Sequence, residues 1–374
     1  MAPTSLEIVV RNNTNAANLF AYVTGRADSG LFFLTADGKT PYYPSSPSST
    51  LQKLKQDCSI PVGGPGQSKT LTVPRLSGAR IWFCEDQPLT FLLNPGPAVV
   101  EPAVTNTQDP NYNLNWAFCE FTLNADELYV NVSYVDFFSI PVSLKLENAS
   151  GKVTRVAGMP QGALDTVCNQ LVAQGKSDGA GWEKLVIKAK DGSNLRALSP
   201  NSGRVMFQGL FDGYYQPYVD SVWAKYQDTD LTVNTQFTWG DITGRIVNGK
   251  LTFGSDIAFG QPSAADIFSC DSGPFAHGAN VTEQQLNIGA RIAAAFNRST
   301  LLVSSIQPEG EKVEEYYKEK ITNHYSRICH TTSVGGRGYA FPYDDVGASN
   351  GEDQSGFLND PNPKTLTIGV GIPL

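Results

Sequence analysis

The sequence predicts an α+β chain in which an all-β sandwich or barrel domain, residues 1–155 plus 331–374, is interrupted by an inserted α/β domain, residues 156–330. Three observations predict it. Residues 1–155 carry β-branched and aromatic runs between Gly, Pro, Asn and Ser clusters, with no helical period sustained over three turns. From residue 156 the apolar period becomes that of amphipathic helices. The tail, residues 364–371, returns to a strand pattern.

In chain order, strands are expected at 6–11, 19–24, 69–73, 79–83, 116–123 and 128–146. Pro41-Tyr-Tyr-Pro-Ser-Ser-Pro-Ser-Ser49 reads as a surface loop. Leu164, Val167, Cys168, Leu171 and Val172 make the stripe of a helix closed by Gly175, and Tyr218, Val219, Val222, Trp223 and Tyr226 make the core face of another that starts near Pro217. Thr282-Glu-Gln-Gln285 is a capping box opening a helix that buries Leu286, Ile292, Ala293 and Phe296. A fourth helix is predicted over 311–329, with Val313, Tyr317, Ile321, Tyr325 and Ile328 on one side. Short strands at 184–188, 204–208 and 250–253 lie between these helices.

Composition narrows the partners. Charged residues are 17%, below the roughly 25% of a typical soluble domain, so the surface must be rich in Ser, Thr, Asn and Gln. The 28 basic and 36 acidic side chains give a net charge of −8 with no Lys/Arg cluster, which argues against nucleic acid and anionic membranes. A neutral polymer feels no such repulsion. Six cysteines at wide spacings, without C-x-x-C, read as structural disulfides or plain buried thiols. Five N-x-[ST] sequons, at Asn12, Asn131, Asn148, Asn280 and Asn297, fit a secreted protein, and the expected setting is extracellular. The opening Met1-Ala-Pro-Thr-Ser lacks the parts of a signal peptide, so any secretion signal is expected to have been removed or never to have existed.

Conventional motifs fail on context. Gly347-Ala-Ser349-Asn-Gly351 has the letters of a nucleophile elbow but lies among Asp344, Asp345, Glu352 and Asp353 with no strand before it. Gly63-Gly-Pro-Gly-Gln-Ser-Lys-Thr70 precedes a strand where a phosphate loop needs a helix. Three histidines, His277, His324 and His330, offer no zinc spacing and no triad, so no metal or other cofactor is expected. Carboxylates remain, and two of them flanking a glycosidic bond can carry out a whole hydrolysis. An acid inside an apolar strand is informative because burial there is costly unless its altered pKa or hydrogen bonding is useful. Glu120, in Trp116-Ala-Phe-Cys-Glu-Phe-Thr-Leu, and Asp136, in Tyr134-Val-Asp-Phe-Phe, are the two clearest cases.

Glu120-Phe-Thr-Leu-Asn124 followed by Tyr129-Val-Asn-Val-Ser-Tyr-Val-Asp-Phe-Phe-Ser-Ile-Pro-Val142 resembles the central segment of thaumatin-like domains, as do Gly66-Gln-Ser-Lys-Thr-Leu-Thr-Val73 and Gly78-Ala-Arg-Ile-Trp82. With its long α/β segment and Gly338-Tyr-Ala-Phe-Pro-Tyr-Asp-Asp345, the whole chain is more similar to glycoside hydrolase family 64, inverting β-1,3-glucanases that set a thaumatin-like β domain against an α/β domain across a wide cleft. The resemblance implies Glu120 as general acid, held protonated by apolar neighbours, and ionised Asp136 as general base. It also implies that Thr122, Asn124 and Tyr129 line glucose subsites. Thr122 and Asn124 can equally be hairpin-turn chemistry and Tyr129 a core ring. Asn131 stands where thaumatin-like domains have their acid and is expected to orient Glu120 or a sugar hydroxyl. The partner implied is a β-1,3-glucan such as laminarin or fungal or plant cell wall, bound by a monomer.

Strand geometry partly resists the pairing. If Asn124 to Glu127 turns a simple hairpin, Glu120 faces Asn131, and Asp136 lies about 16 Å further on and on the opposite face. An inverting pair stands roughly 6.5 to 9.5 Å apart. A bulge or strong bend between Asn131 and Asp136 is therefore expected. A non-catalytic β-glucan-binding or antifungal protein is the main alternative, and a structural wall protein a second.

Overall fold

The computed structural model describes residues 2–374. Its first sheet has five strands in the order Val153–Val156, Val142–Asn148, Pro363–Gly371, Ser5–Asn13, Ser68–Pro74. Alternation decides its faces: Leu6, Ile8 and Val10 of Ser5–Asn13 are buried while Ser5, Glu7 and Arg11 are exposed. The strand predicted at 364–371 thus returns to the N-terminal sheet, running parallel to Ser5–Asn13 with Glu7 opposite Thr365.

A second sheet places Phe357–Asp360, Leu128–Val132, Trp116–Leu123, Leu76–Glu85, Leu19–Ala27, Gly30–Leu34 and Pro41–Tyr42 side by side, with Ile60–Gly63 also on Leu19–Ala27. Both sheets feed one continuous core, which includes Ile8 and Leu366 from the first and Ile81, Cys119 and Val130 from the second.

Among the described residues there are six α-helices: α1 Ala163–Asp178, α2 Pro200–Met206, α3 Gln216–Asp228, α4 Ala264–Ser269, α5 Glu283–Arg298 and α6 His324–Thr332. They lie with a three-stranded sheet (Phe137–Phe138, Asn194–Leu198, Val186–Lys188) and a second five-stranded sheet (Ile257–Phe259, Lys250–Phe253, Asp241–Val247, Leu231–Asn234, Ile306–Gln307). As expected, Tyr218, Trp223 and Tyr226 of α3 are buried. No helix among the described residues is long and apolar enough to cross a membrane.

Several expectations need correction. Helix α1 runs past Gly175 because Gly179, in the left-handed region at φ 69°, caps it by donating its N–H to Gly175 O at 2.9 Å. Residues 204–208 are not a strand: Ser199 caps α2, its side chain accepting from Ser202 N, and Pro200 pre-sets the first turn. Helix α5 buries Ile288 fully and Leu286 only in part. The helix predicted over 311–329 forms only as α6. Glu311 is drawn into a buried pair with Arg298, Tyr317 sits at φ 59°, and Asn323 starts α6 by accepting from Ser326 N. The six cysteines are buried free thiols.

Candidate active site

The Asn124 turn sets the register from which the site is built. Asn124 Oδ1 accepts from Asp126 N and Glu127 N, both at 2.8 Å, and Asn124 N donates to Glu127 O at 3.1 Å. This closes a hairpin in which Glu120 faces Asn131 and Thr122 faces Tyr129. On its other side Glu120 faces Arg80 of Leu76–Glu85. Alternation puts Glu120, Thr122, Tyr129, Asn131 and Arg80 on one face, where with Glu101 they line an open pocket of about 470 Å³. Asn124 does not line it. Its side-chain oxygen is committed to the turn, which is the plainer of the two roles the sequence left open.

Arg80 organises the pocket. Its Nη1 donates to Glu101 at 2.7 Å, and its Nε and Nη2 both reach Glu120 Oε1 at 3.1 Å. Its guanidinium lies 4.7 Å from the centre of the Phe118 ring. Burial opposes its charge, yet Glu101, Glu120 and Asp136 together hold it above the ordinary arginine value. The immediate neighbour of Glu120 is therefore a guanidinium and not the apolar surface expected from the sequence. The sequence motifs alone do not mark Arg80 or Glu101 as site residues. Arg80 carries a legible signal, a cation inside an apolar strand, whereas Glu101 comes from an irregular loop and carries none.

Asp136 does not line this pocket, but its charge is felt at Arg80, and the chain leaves the sheet before reaching it. Strand Leu128–Val132 stops, Val135 and Asp136 form a bend, and Phe137–Phe138 pairs instead with Asn194–Leu198. The break is held by Phe137 packing on Trp116, centroids 4.6 Å apart, and by Ser199 N donating to Asp136 O at 3.0 Å. The long strand predicted over 128–146 is thus three short ones, and the bend falls between Asn131 and Asp136. Burial pushes the Asp136 carboxyl above the ordinary aspartate value, with Arg80 pulling it back. Burial also raises Glu101 against the pull of Arg80.

The far end of the chain packs against the strand that carries Tyr129 and Asn131. Tyr129 stacks on Phe357, centroids 5.2 Å apart and planes 18° from parallel, and burial pushes its phenol up to about 12, so it is a neutral hydroxyl at ordinary pH. Tyr339 N donates to Val132 O at 3.1 Å, and its hydroxyl donates to Asp345 Oδ1 at 2.8 Å. Asn131 is 7% exposed and its Oδ1 is buried without a partner. An orphaned acceptor in a pocket wall is the kind of group a ligand hydroxyl satisfies. An acid on a guanidinium, a second acid in a less hydrated place, an amide and a tyrosine suit proton transfer on an uncharged, hydroxyl-rich substrate.

A family model described as Beta-1,3-glucanase matches residues 4–370. The glucan endo-1,3-beta-glucosidase of Cellulosimicrobium cellulans is 30% identical over 374 residues, covering 98% of this chain and 65% of its own length. The protein of the same description from Arthrobacter sp. (strain YCWD3) is 30% identical over 377 residues, again covering 98% of this chain and 65% of its own. The chain thus spans about 65% of the curated relatives it matches. Among solved structures, a laminaripentaose-producing beta-1,3-glucanase in complex with laminaritetraose superposes with a TM-score of 0.85 at 30% identity over 99% of each chain.

Proposed function

This chain belongs to glycoside hydrolase family 64, the β-1,3-glucanases, and from that premise we propose that it is an extracellular, endo-acting glucan endo-1,3-β-glucosidase that inverts the anomeric configuration. The observation that carries the reading is Glu120 held by Arg80 on the wall of an open pocket, with the charge of Asp136 felt at the same guanidinium. The laminaritetraose held by the neighbouring structure supports a β-1,3-glucan as substrate, and short laminari-oligosaccharides are the products in this reading. Residues 1–155 plus 331–374 form the thaumatin-like β domain and 156–330 the α/β domain, with the glucan in a wide cleft between them. The return of Pro363–Gly371 to the sheet of Ser5–Asn13 supports that division.

Glu120 donates a proton to the glycosidic oxygen as the bond to the anomeric carbon breaks. A water attacks the same carbon from the opposite side and gives its proton to ionised Asp136. Both Arg80 contacts fall on Glu120 Oε1, which leaves Oε2 to carry the transferred proton. A partly dehydrated Asp136 is a stronger base than a solvated one, because its raised value brings it nearer working pH. Thr122, Tyr129 and Asn131 bind sugar hydroxyls and a pyranose face. Asn124 contributes by fixing the hairpin register. Chromatography of laminarin digests tests the reading: released oligosaccharides are expected, whereas binding without products would identify a glucan-binding protein.

A further inference from the structure

The hairpin between Leu231–Asn234 and Asp241–Val247 carries Gln236-Phe-Thr-Trp-Gly240 at its tip. Phe237 is 60% exposed. Trp239 packs beside it, ring centroids 4.9 Å apart with planes at 48°, and is half-buried, whereas the four other tryptophans are all at most 5% exposed. Two adjacent rings held partly in water serve no core, and an exposed aromatic surface of this kind calls for something to cover it.

The tip is rigid. Thr235 N donates to Gly240 O at 3.0 Å, Gln236 N donates to Asn234 Oδ1 at 2.8 Å, and Asn234 Nδ2 donates to Asp241 Oδ1 at 2.6 Å. It is also tied to the loop that follows Asp345. Gln236 Nε2 donates to Glu309 Oε1 at 2.9 Å and to Gly347 O at 2.8 Å, and its Oε1 accepts from Arg291 Nη2 at 3.0 Å. Gly347 follows Asp345 on the same loop, and Asp345 is held by Tyr339, which is bonded to the strand of Tyr129 and Asn131. The Asp345 charge is felt by both Tyr129 and Arg291. A continuous line of contacts therefore runs from the candidate active site along Tyr339, Asp345 and Gln236 to the aromatic tip.

We propose that Phe237 and Trp239 form a distal stacking platform for the same β-1,3-glucan chain, engaging sugar units beyond the pocket. The occupant follows from the chemistry. A pyranose ring has an apolar C–H face that covers an aromatic plane and a hydroxyl rim that the carboxylates and amides along the connecting line can bond. A neutral chain also meets no repulsion from the acidic loop. The inference rests on the glucanase reading and extends it to longer substrates.

Trp239 supplies its own probe. In full-length Glu120→Gln, used so that substrate is not consumed, laminarin is expected to reduce acrylamide quenching of tryptophan emission, glucose is expected not to, and adding Trp239→Phe should abolish the effect. In the active protein, Phe237→Ala with Trp239→Ala should raise KM for laminarin about tenfold while kcat changes by less than about twofold. Unchanged KM together with unchanged quenching overturns the platform while leaving the glucanase reading intact. Shielding of Trp239 that rises with protein concentration in the absence of glucan also overturns it, showing a contact between copies of the chain. Failure of the unaltered protein to release oligosaccharides removes the glucanase reading and this inference with it.

Discussion

Glu120 and Asn131 stand directly opposite each other on antiparallel strands, a half-exposed acid against a buried amide whose oxygen has no partner. The Asn131 side chain forms the pocket wall, so a glycan on its sequon has nowhere to go. Glycopeptide mass spectrometry of protein made in a glycosylating host should find Asn131 bare. Asn12 and Asn297 should be bare because they are fully buried, and half-buried Asn148 has its amide donating to Asp360, which leaves exposed Asn280 as the favoured acceptor.

Glu120→Gln and Asp136→Asn should each lower kcat on laminarin by roughly a thousandfold or more while leaving glucan binding and the melting curve largely intact. Near-normal turnover by either variant would sink its assignment.

In the proposed inverting reaction the water attacks opposite the departing oxygen, so the first product from a β-linked glucan should be the α-anomer. Proton NMR in the first minutes of reaction reads this directly, and β-anomer appearing first excludes inversion.

Arg80→Gln tests the electrostatics. Burial raises Asp136 and Arg80 opposes that rise, so removing the cation lets Asp136 climb further and ionise only at higher pH. The acidic limb of the kcat/KM profile should move to higher pH. An unmoved limb would contradict Asp136 as the base.

How legible the site was depended on sequence separation. The Glu120–Asn131 register could be read because a four-residue turn fixes it, and alternation then put Thr122 and Tyr129 on the same face. The bend before Asp136 was required by strand arithmetic, but its cause was hidden: Phe137 and Phe138 prefer a partner strand some sixty residues later. Phe357, Tyr339 and Asp345 come from the C-terminal segment to brace the strand of Tyr129 and Asn131 by long-range pairing, which local periodicity cannot express. The helix missed at 200–206 and the false helix at 311–322 were both decided by single side chains, a Ser cap and a buried Glu.

That Glu belongs to a buried network that should dominate stability. Arg298 lies between Glu311 and Asp344 at 3.5 and 3.1 Å, and His330 Nε2 meets Asp344 at 2.9 Å, all nearly inaccessible to water. Arg298→Met would strand two carboxylates and should cost about 3–5 kcal/mol in urea unfolding. Despite full burial, His330 and Arg298 hold Asp344 below its ordinary value, so its contribution is lost as pH falls through that lowered value. His330, raised by Asp344 despite its own burial, loses its contribution as pH rises through its raised value. Unfolding midpoints that do not respond to Arg298→Met would refute this.

The place of Pro363–Gly371 between Ser5–Asn13 and Val142–Asn148 has a consequence for biosynthesis. A ribosome delivers the two flanking strands about two hundred residues before the one that joins them. Until then the nascent chain presents two unpaired strand edges with Ile8, Val10 and Leu144 behind them, the kind of surface that seeds aggregation. The sheet begun by Ser5–Asn13 closes only when Pro363–Gly371 emerges, and a pause in translation between residues 148 and 363 prolongs the exposure of those edges.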